Sequence, residues 1–333
     1  MYHLWQEITA SDTPMASHFL LTARARTLSL VQIARMGDDE AHRAFREMRW
    51  PATGGEPVCP RCDCAACYTF QVRRLFKCKA CGHQFTVTSG TIFASRKLPV
   101  QTYLLAIAIF VNAVKGVSAL QLGRDLDVQY KTAFVLAHKL RETMAASQNG
   151  TVSGHVEVDG CYIGGSIRQE NYKADRRDRR LAENQTGKRR VVVVMRERGG
   201  RTLPFVVRSE DEAVPTIRRR VETGSTVYAD EASAWDSLHA RYETKRINHS
   251  FAFSDAGACT NQAESFFSRL RRAEWGQHHR ISGHYLHFYA GEMAWREDMR
   301  RVDNGNQLRR VGMGALASPK SRNWTGYWQR AAA

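Results

Sequence analysis

Hydrophobic and polar positions change their rhythm several times along these 333 residues. Leu28, Val31 and Ile33, then Ala41, Phe45 and Met48, fall at helical spacing and predict one or two short helices, stopped by Pro51. Gly54 and Gly55 read as a linker, and Tyr68, Phe70, Val72, Phe85 and Val87 then alternate as short strands do. From Pro99 to Met144 the period is helical again. Tyr103 through Val114 forms one helix, Ser118 caps a second over Ala119–Leu126, Asp127 turns the chain, and Gln129–Leu140 makes a third.

Beyond Thr151 strand signals dominate. Val156 and Val158 alternate with His155, Glu157 and Asp159, giving a strand that delivers one carboxylate, Asp159, at its tip. Val191–Met195 is an apolar run of a buried strand, Gly199-Gly200 a hairpin turn, and Leu203–Val207 its partner. A helix over Ala213–Val221, a strand over Ser225–Asp230 that again ends on an acid, and a helix over Ser233–Ala240 follow. This order describes a mixed α/β layer. Thr260-Asn261 opens a helix through Glu264, Phe267, Leu270 and Arg271, with Phe266, Phe267 and Leu270 on its core side. Tyr285, Phe288, Tyr289 and Trp295 recur at near-helical spacing and read as core, and residues after Gly305 read as a polar, flexible end.

Cysteine usage adds a site. Cys59 and Cys62 form one C-x2-C pair, Cys78 and Cys81 another, with fifteen residues between them. That is the spacing of a four-thiolate zinc site holding one structural Zn²⁺ in a zinc ribbon. Cys64 and Cys67 make a competing pair on the intervening loop.

Charge narrows the class of partner. A formal net charge of +16 favours a polyanion, most often nucleic acid. The segment 166–190 carries a dense run of Arg and Lys suited to a solvated loop or to tracking phosphates. The helix pair ending in Gln129–Leu140 resembles a helix-turn-helix, with Gln129, Lys131, Thr132 and His138 on its later member; an ordinary helical hairpin is the alternative. No apolar run is long enough to span a membrane and the N-terminus lacks the order of a secretory signal, so no membrane partner and a cytoplasmic, nucleoid-associated location are expected.

Asp159, Asp230 and Glu264, one on each of two strand ends and one on a helix, can converge at one edge of a sheet. Three clustered carboxylates repel one another and suit two Mg²⁺ (or Mn²⁺) ions about 3.5–4 Å apart. Arg271 lies seven residues beyond Glu264, on the same helix face.

The segments VEVDGCYIGG, VYADEASAW, INHSFAFSD and TNQAESFFSRLRRAEWGQHH, behind CPRC and CKACGHQFTVTSGTIF, resemble a bacterial insertion-sequence DDE transposase with an N-terminal zinc ribbon. The resemblance implies an α/β, RNase H-like catalytic domain, a mixed sheet with flanking helices, preceded by the ribbon and a helix-turn-helix. The corresponding division is a helical lead-in over 1–54, ribbon over 55–96, helix-turn-helix over 97–148, catalytic domain over 149–305 and flexible tail over 306–333. It implies Asp159, Asp230 and Glu264 as the magnesium-binding triad, with Arg271, Asn261 and His249 as further catalytic residues and Arg272 beside Gln129, Lys131 and Thr132 on DNA. Whether Glu264 or Asn261 is the third ligand stays open. The implied activity is binding of double-stranded element ends, DNA cleavage and strand transfer, by at least a homodimer on DNA. A metal-dependent nuclease without strand transfer and a non-catalytic DNA-binding regulator are the rival readings.

Overall fold

The computed structural model describes residues 18–165, 170–178, 181–184, 186–247 and 259–330. Helix α1, Leu30–Arg35, starts at a reciprocal cap: Ser29 accepts from Val31 N–H, and the Gln32 side chain accepts from Ser29 N–H. Helix α2, Asp38–Arg49, carries Asp38, Asp39 and Glu40 in its first turn and Arg46 and Arg49 in its last, matching the helix dipole at both ends. Its Ala41, Phe45 and Met48 are buried.

Three short antiparallel strands follow, β1 Cys67–Phe70, β2 Leu75–Cys78 and β3 Gln84–Phe85. So small a sheet has no core of its own. Phe76 and Phe85 instead pack edge-on against Trp50, which follows α2, at ring separations of 5.5 and 6.3 Å. Helix α3, Val100–Asn112, is apolar on nearly every face and accordingly lies in the interior. Helices α4, Ala119–Asp125, and α5, Tyr130–Ala146, are joined by a tight turn, and Ser118 caps α4 by accepting from Gln121 N–H.

The second half is built on a five-stranded mixed sheet. In chain order it supplies β4 His155–Ile163, β5 Arg190–Glu197, β6 Thr202–Val207, helix α6 Val214–Arg220, β7 Thr226–Asp230 and β8 Glu243–Ile247. In space the order is β6-β5-β4-β7-β8, with antiparallel pairing on one side of β4 and parallel pairing on the other. Helices α7 Asn261–Ala273, α8 Leu286–Asp298, α9 Asn304–Ala317 and α10 Tyr327–Arg330 complete the chain. Alternation along the central strands divides the interior. Val156, Val158, Val191, Val193 and Met195 face Ile217 of α6 and Trp235, whereas Cys161, Ile163, Val192 and Val194 face Phe266, Phe267 and Leu270 of α7 and Met293 of α8. Covered on both faces, β5 reads as a continuous apolar run, not as an alternating one.

Two sequence expectations need correction. The chain after Gly305 is not a flexible tail. Asp303 caps α9 by accepting from Asn306 N–H, and Val311, Ala315 and Leu316 are buried in the core shared with α2, α3 and α5. Three glycines inside α9 mask its helical signal, yet Gly312 is what allows close packing, since a Cβ there would lie 2.4 Å from the Met48 sulfur. Farther on, Trp324 is buried and stacks on the His138 ring at 4.1 Å. The second correction is His138 itself: it is fully buried, not displayed on the surface of α5, and burial first, then Arg141, pushes its imidazole down to about 2.

A buried ionic group ties the two halves together. Glu292 of α8 accepts from Arg141 Nε of α5 at 2.8 Å and from Arg296 Nε and Nη2 at 3.0 and 2.8 Å, and all three residues are buried. The guanidinium groups also donate to the Val117 and Phe110 carbonyls, so the charges are hydrogen-bonded on every side that matters for desolvation. Substituting Glu292→Gln leaves two buried cations without their anion. It should cost roughly 3–5 kcal/mol in urea unfolding, and an unchanged midpoint would show that the group is dispensable.

Candidate functional site

The site begins with the register of β4 and β7. These strands run parallel and pair Val158 with Ala229, so Asp159 and Asp230 are the next residues of both. Val158 faces the α6 side, and Asp159, one residue on, turns to the opposite face with Cys161, toward α7. Asp159 Oδ1 accepts from Gly160 N–H at 2.7 Å, and Asp230 Oδ1 accepts from Ala232 N–H at 3.2 Å. Burial, then Asp230, Glu264 and Glu210, push the Asp159 carboxyl up to about 7. The three acids singled out in the sequence therefore share one electrostatic neighbourhood. Their oxygens are not gathered as tightly as the ribbon thiols, which form the one group of three or more potential ligand atoms within 4.8 Å among the described residues.

What holds α7 against this edge is a fourth acid that alternation alone treats as a polar outward residue. Glu157 lies two residues before Asp159 on the same face and is fully buried. Its Oε2 accepts from the backbone N–H groups of Gln262 and Ala263 at 2.8 and 3.0 Å, and its Oε1 accepts from Arg198 Nε at 2.9 Å. A carboxylate against unpaired amides at a helix N-terminus satisfies donors that have no partner within the helix. The capped amides immediately precede Glu264, so one strand positions both Asp159 and the helix bearing Glu264.

Glu210 is the second residue that sequence reasoning missed. It stands in the turn after β6, and a Cβ on Gly160 would lie 2.4 Å from its Oε1. The glycine after Asp159 thus leaves room for a carboxylate that arrives from elsewhere in the chain. Burial, then Asp230, pushes the Glu210 carboxyl up, against the pull of Arg189. No local pattern around Glu210 marks it, because its proximity depends on the β5–β6 hairpin folding back.

The remaining candidates separate. Asn261 and Glu264 are exposed on the first turn of α7. Arg271 lies near Cys161, whose thiol burial pushes up while that guanidinium pulls it down; Arg272 is exposed beside it. His249 lies outside the described residues. Gln129, Lys131 and Thr132 are exposed at the start of α5, remote in sequence from the acids, and the Lys131 ammonium sits 5.3 Å from the Trp328 ring centre.

In the ribbon, the Cys59 and Cys81 sulfurs are 3.6 Å apart, as are those of Cys62 and Cys78. Thiolates at about 2.3 Å from a tetrahedral ion stand roughly 3.8 Å from one another, so the set fits zinc. Each pair is closed in the same way, with Asp63 N–H donating to the Cys59 carbonyl and Gly82 N–H to the Cys78 carbonyl. Cys64 and Cys67 stand outside the set.

Comparison with known proteins agrees with this arrangement. Residues 151–298 match the ISXO2-like transposase domain, and residues 36–84 match the transposase zinc-ribbon domain. Both matches are to parts of transposases, with the zinc ribbon preceding the transposase domain. It is also 24% identical over 258 residues to a protein in transposable element ISH50 of Halobacterium salinarum, across 74% of this chain and 85% of that one. No helix among the described residues is long and apolar enough to cross a membrane.

Two outcomes follow for these sites. One zinc per chain should be found by elemental analysis, lost in Cys62→Ser and retained in Cys64→Ser and Cys67→Ser; equal loss in all three would reassign the ligands. Asp159 binds its proton more tightly folded than unfolded, between its ordinary 3.8 and about 7. Its contribution to stability is therefore greatest at low pH and is lost as pH rises through about 7. In chelator-treated protein, Asp159→Asn should raise stability at pH 8 by roughly 2–4 kcal/mol and flatten the decline between pH 5 and 8. A variant with the parent's pH profile would refute the assignment.

Proposed function

We propose that this chain is a DNA transposase whose sheet is an RNase H-like catalytic layer and whose α4–α5 pair is a helix-turn-helix. The observation that carries the reading is the convergence of Asp159, Asp230 and Glu264 from β4, β7 and α7 in a family of transposases. The proposed units are the ribbon over 55–96, the helix-turn-helix over 97–148 and the catalytic layer over 149–305, with Ile33, α2 and Trp50 and the helix α9 packed onto the first two.

Ribbon and α5 bind the ends of the element in double-stranded form, Gln129 and Thr132 reading base edges while Lys131 and Arg272 contact phosphate. Asp159, Asp230 and Glu264 would hold two Mg²⁺ or Mn²⁺ ions, a role that suits hard oxygen donors, and burial with the neighbouring acids already lifts Asp159. Such ions would supply Lewis-acid activation of the attacking oxygen and charge neutralisation at the leaving one. Arg271 presents a planar, permanently charged fork to the phosphate under attack, and Asn261 and His249 orient the strand. Water first cleaves a phosphodiester at the element end; the freed 3′-hydroxyl then attacks a phosphorus of the target. Both are in-line displacements with no covalent enzyme intermediate. Two ends must be held at once, which requires at least a dimer on DNA.

Nicking of supercoiled plasmid with Mg²⁺, followed by joining of precut ends, tests the scheme. Asp230→Asn and Glu264→Gln should each lower both steps at least about a hundredfold, as loss of electrostatic stabilisation does elsewhere, while leaving end binding intact. Cleavage without joining by the parent chain would make it a nuclease, and binding without cleavage would make it a regulator.

A further inference from the structure

One large cleft among the described residues lies away from the carboxylates. It encloses about 860 Å³ beside the far end of β4, and Lys188, Arg190, Arg220 and Arg280 line it. A second cleft of about 490 Å³ shares Arg190 with it and is lined by Tyr162, Arg189 and Arg208. Among the described residues, neither cleft is lined by an aspartate or a glutamate. These cations come from four places in the fold: the segment entering β5, the turn after β6, the end of α6 and the turn before α8. They are therefore brought together by folding and do not reflect one basic run.

The smaller cleft approaches the acids through Glu210, whose carboxyl feels the Arg189 guanidinium. Tyr162 lies three residues beyond Asp159, about 10 Å along the strand. The Arg189 guanidinium lies over its ring at 4.0 Å, and the same Arg189 pulls against the upward shift of Glu210. Arg190 is held in place by donating from Nη1 to the Gly187 and Arg189 carbonyls. From Asp159, β4 runs about 13 Å to its end at Ile163, and the larger cleft continues past Gly164 and Gly165. A single phosphate would occupy a small part of that length. One strand of a duplex carries a phosphate every 3.4 Å of helix axis, so about four would lie along this part of β4 alone.

We propose that the two clefts form one cationic track for the phosphodiester backbone of the DNA strand running to and from the carboxylates, distinct from the contacts of the ribbon and α5. The proposal rests on the transposase reading only in taking DNA as the polyanion. Backbone contact carries no sequence information, so the track adds affinity for end and target DNA alike.

Fluorescence-anisotropy titrations of an element-end duplex and an unrelated duplex of equal length, over a series of salt concentrations, test it in the full-length chain. Arg220→Ala combined with Arg280→Ala should lower the slope of log affinity against log salt by roughly two and weaken both duplexes by the same factor. Arg220→Lys with Arg280→Lys should restore the slope. Circular dichroism and a melting curve matching the parent show that the alanine variant is folded. An unchanged slope in that folded variant, with the parent binding both duplexes, overturns the track and leaves the transposase reading standing. Binding of inorganic phosphate that depends on Arg220 and Arg280 while the DNA slope does not would make the cleft a small-anion site and equally overturn it. Failure of the parent to bind either duplex would remove the transposase reading and the track together.

Discussion

Glu157 joins the strand and the helix that carry the candidate chemistry. Its carboxylate is buried, and it survives there because two helix amides and the Arg198 guanidinium replace the water it gave up. The exchange leaves no freedom in how α7 approaches β4. A helix anchored by its first amides cannot slide along the sheet, so Glu264, a residue past the capped pair, stays level with Asp159, two residues past the capping acid. Placement of an exposed acid thus depends on a buried one that touches no substrate.

Electrostatics at the edge itself run the other way. Asp159 is pushed toward neutrality by burial and by Asp230, Glu264 and Glu210. Concentrated negative charge is a poor device for stability and a good one for holding divalent ions. The smaller cationic cleft approaches this group through Arg189, which faces Glu210.

The halves of the molecule are not independent beads. Arg141, Glu292 and Arg296 clamp α5 to α8, and α9 returns from the end of the chain to fill the core formed by α2, α3 and α5. The ribbon depends on that core through Trp50 and on its four thiols for the rest. A shift of the ribbon or of α5 would therefore reach the helices that pack on the sheet.

Local chemistry was legible from the chain alone. The paired C-x2-C turns, the acids after Val158 and Ala229, the apolar run of β5 and the Ser118 cap each follow from spacing within a few residues, where backbone geometry leaves one outcome. The sheet order, the capping role of Glu157, the arrival of Glu210 over Gly160 and the burial of His138 under Trp324 were not. Each joins residues tens to nearly two hundred positions apart, and nothing in a short window distinguishes a buried, compensated carboxylate from a solvated one. Alternation placed Glu157 and Asp159 on one face of a strand; only the packing of α7 on that face decided that the first would anchor the helix while the second stays among the acids at the edge.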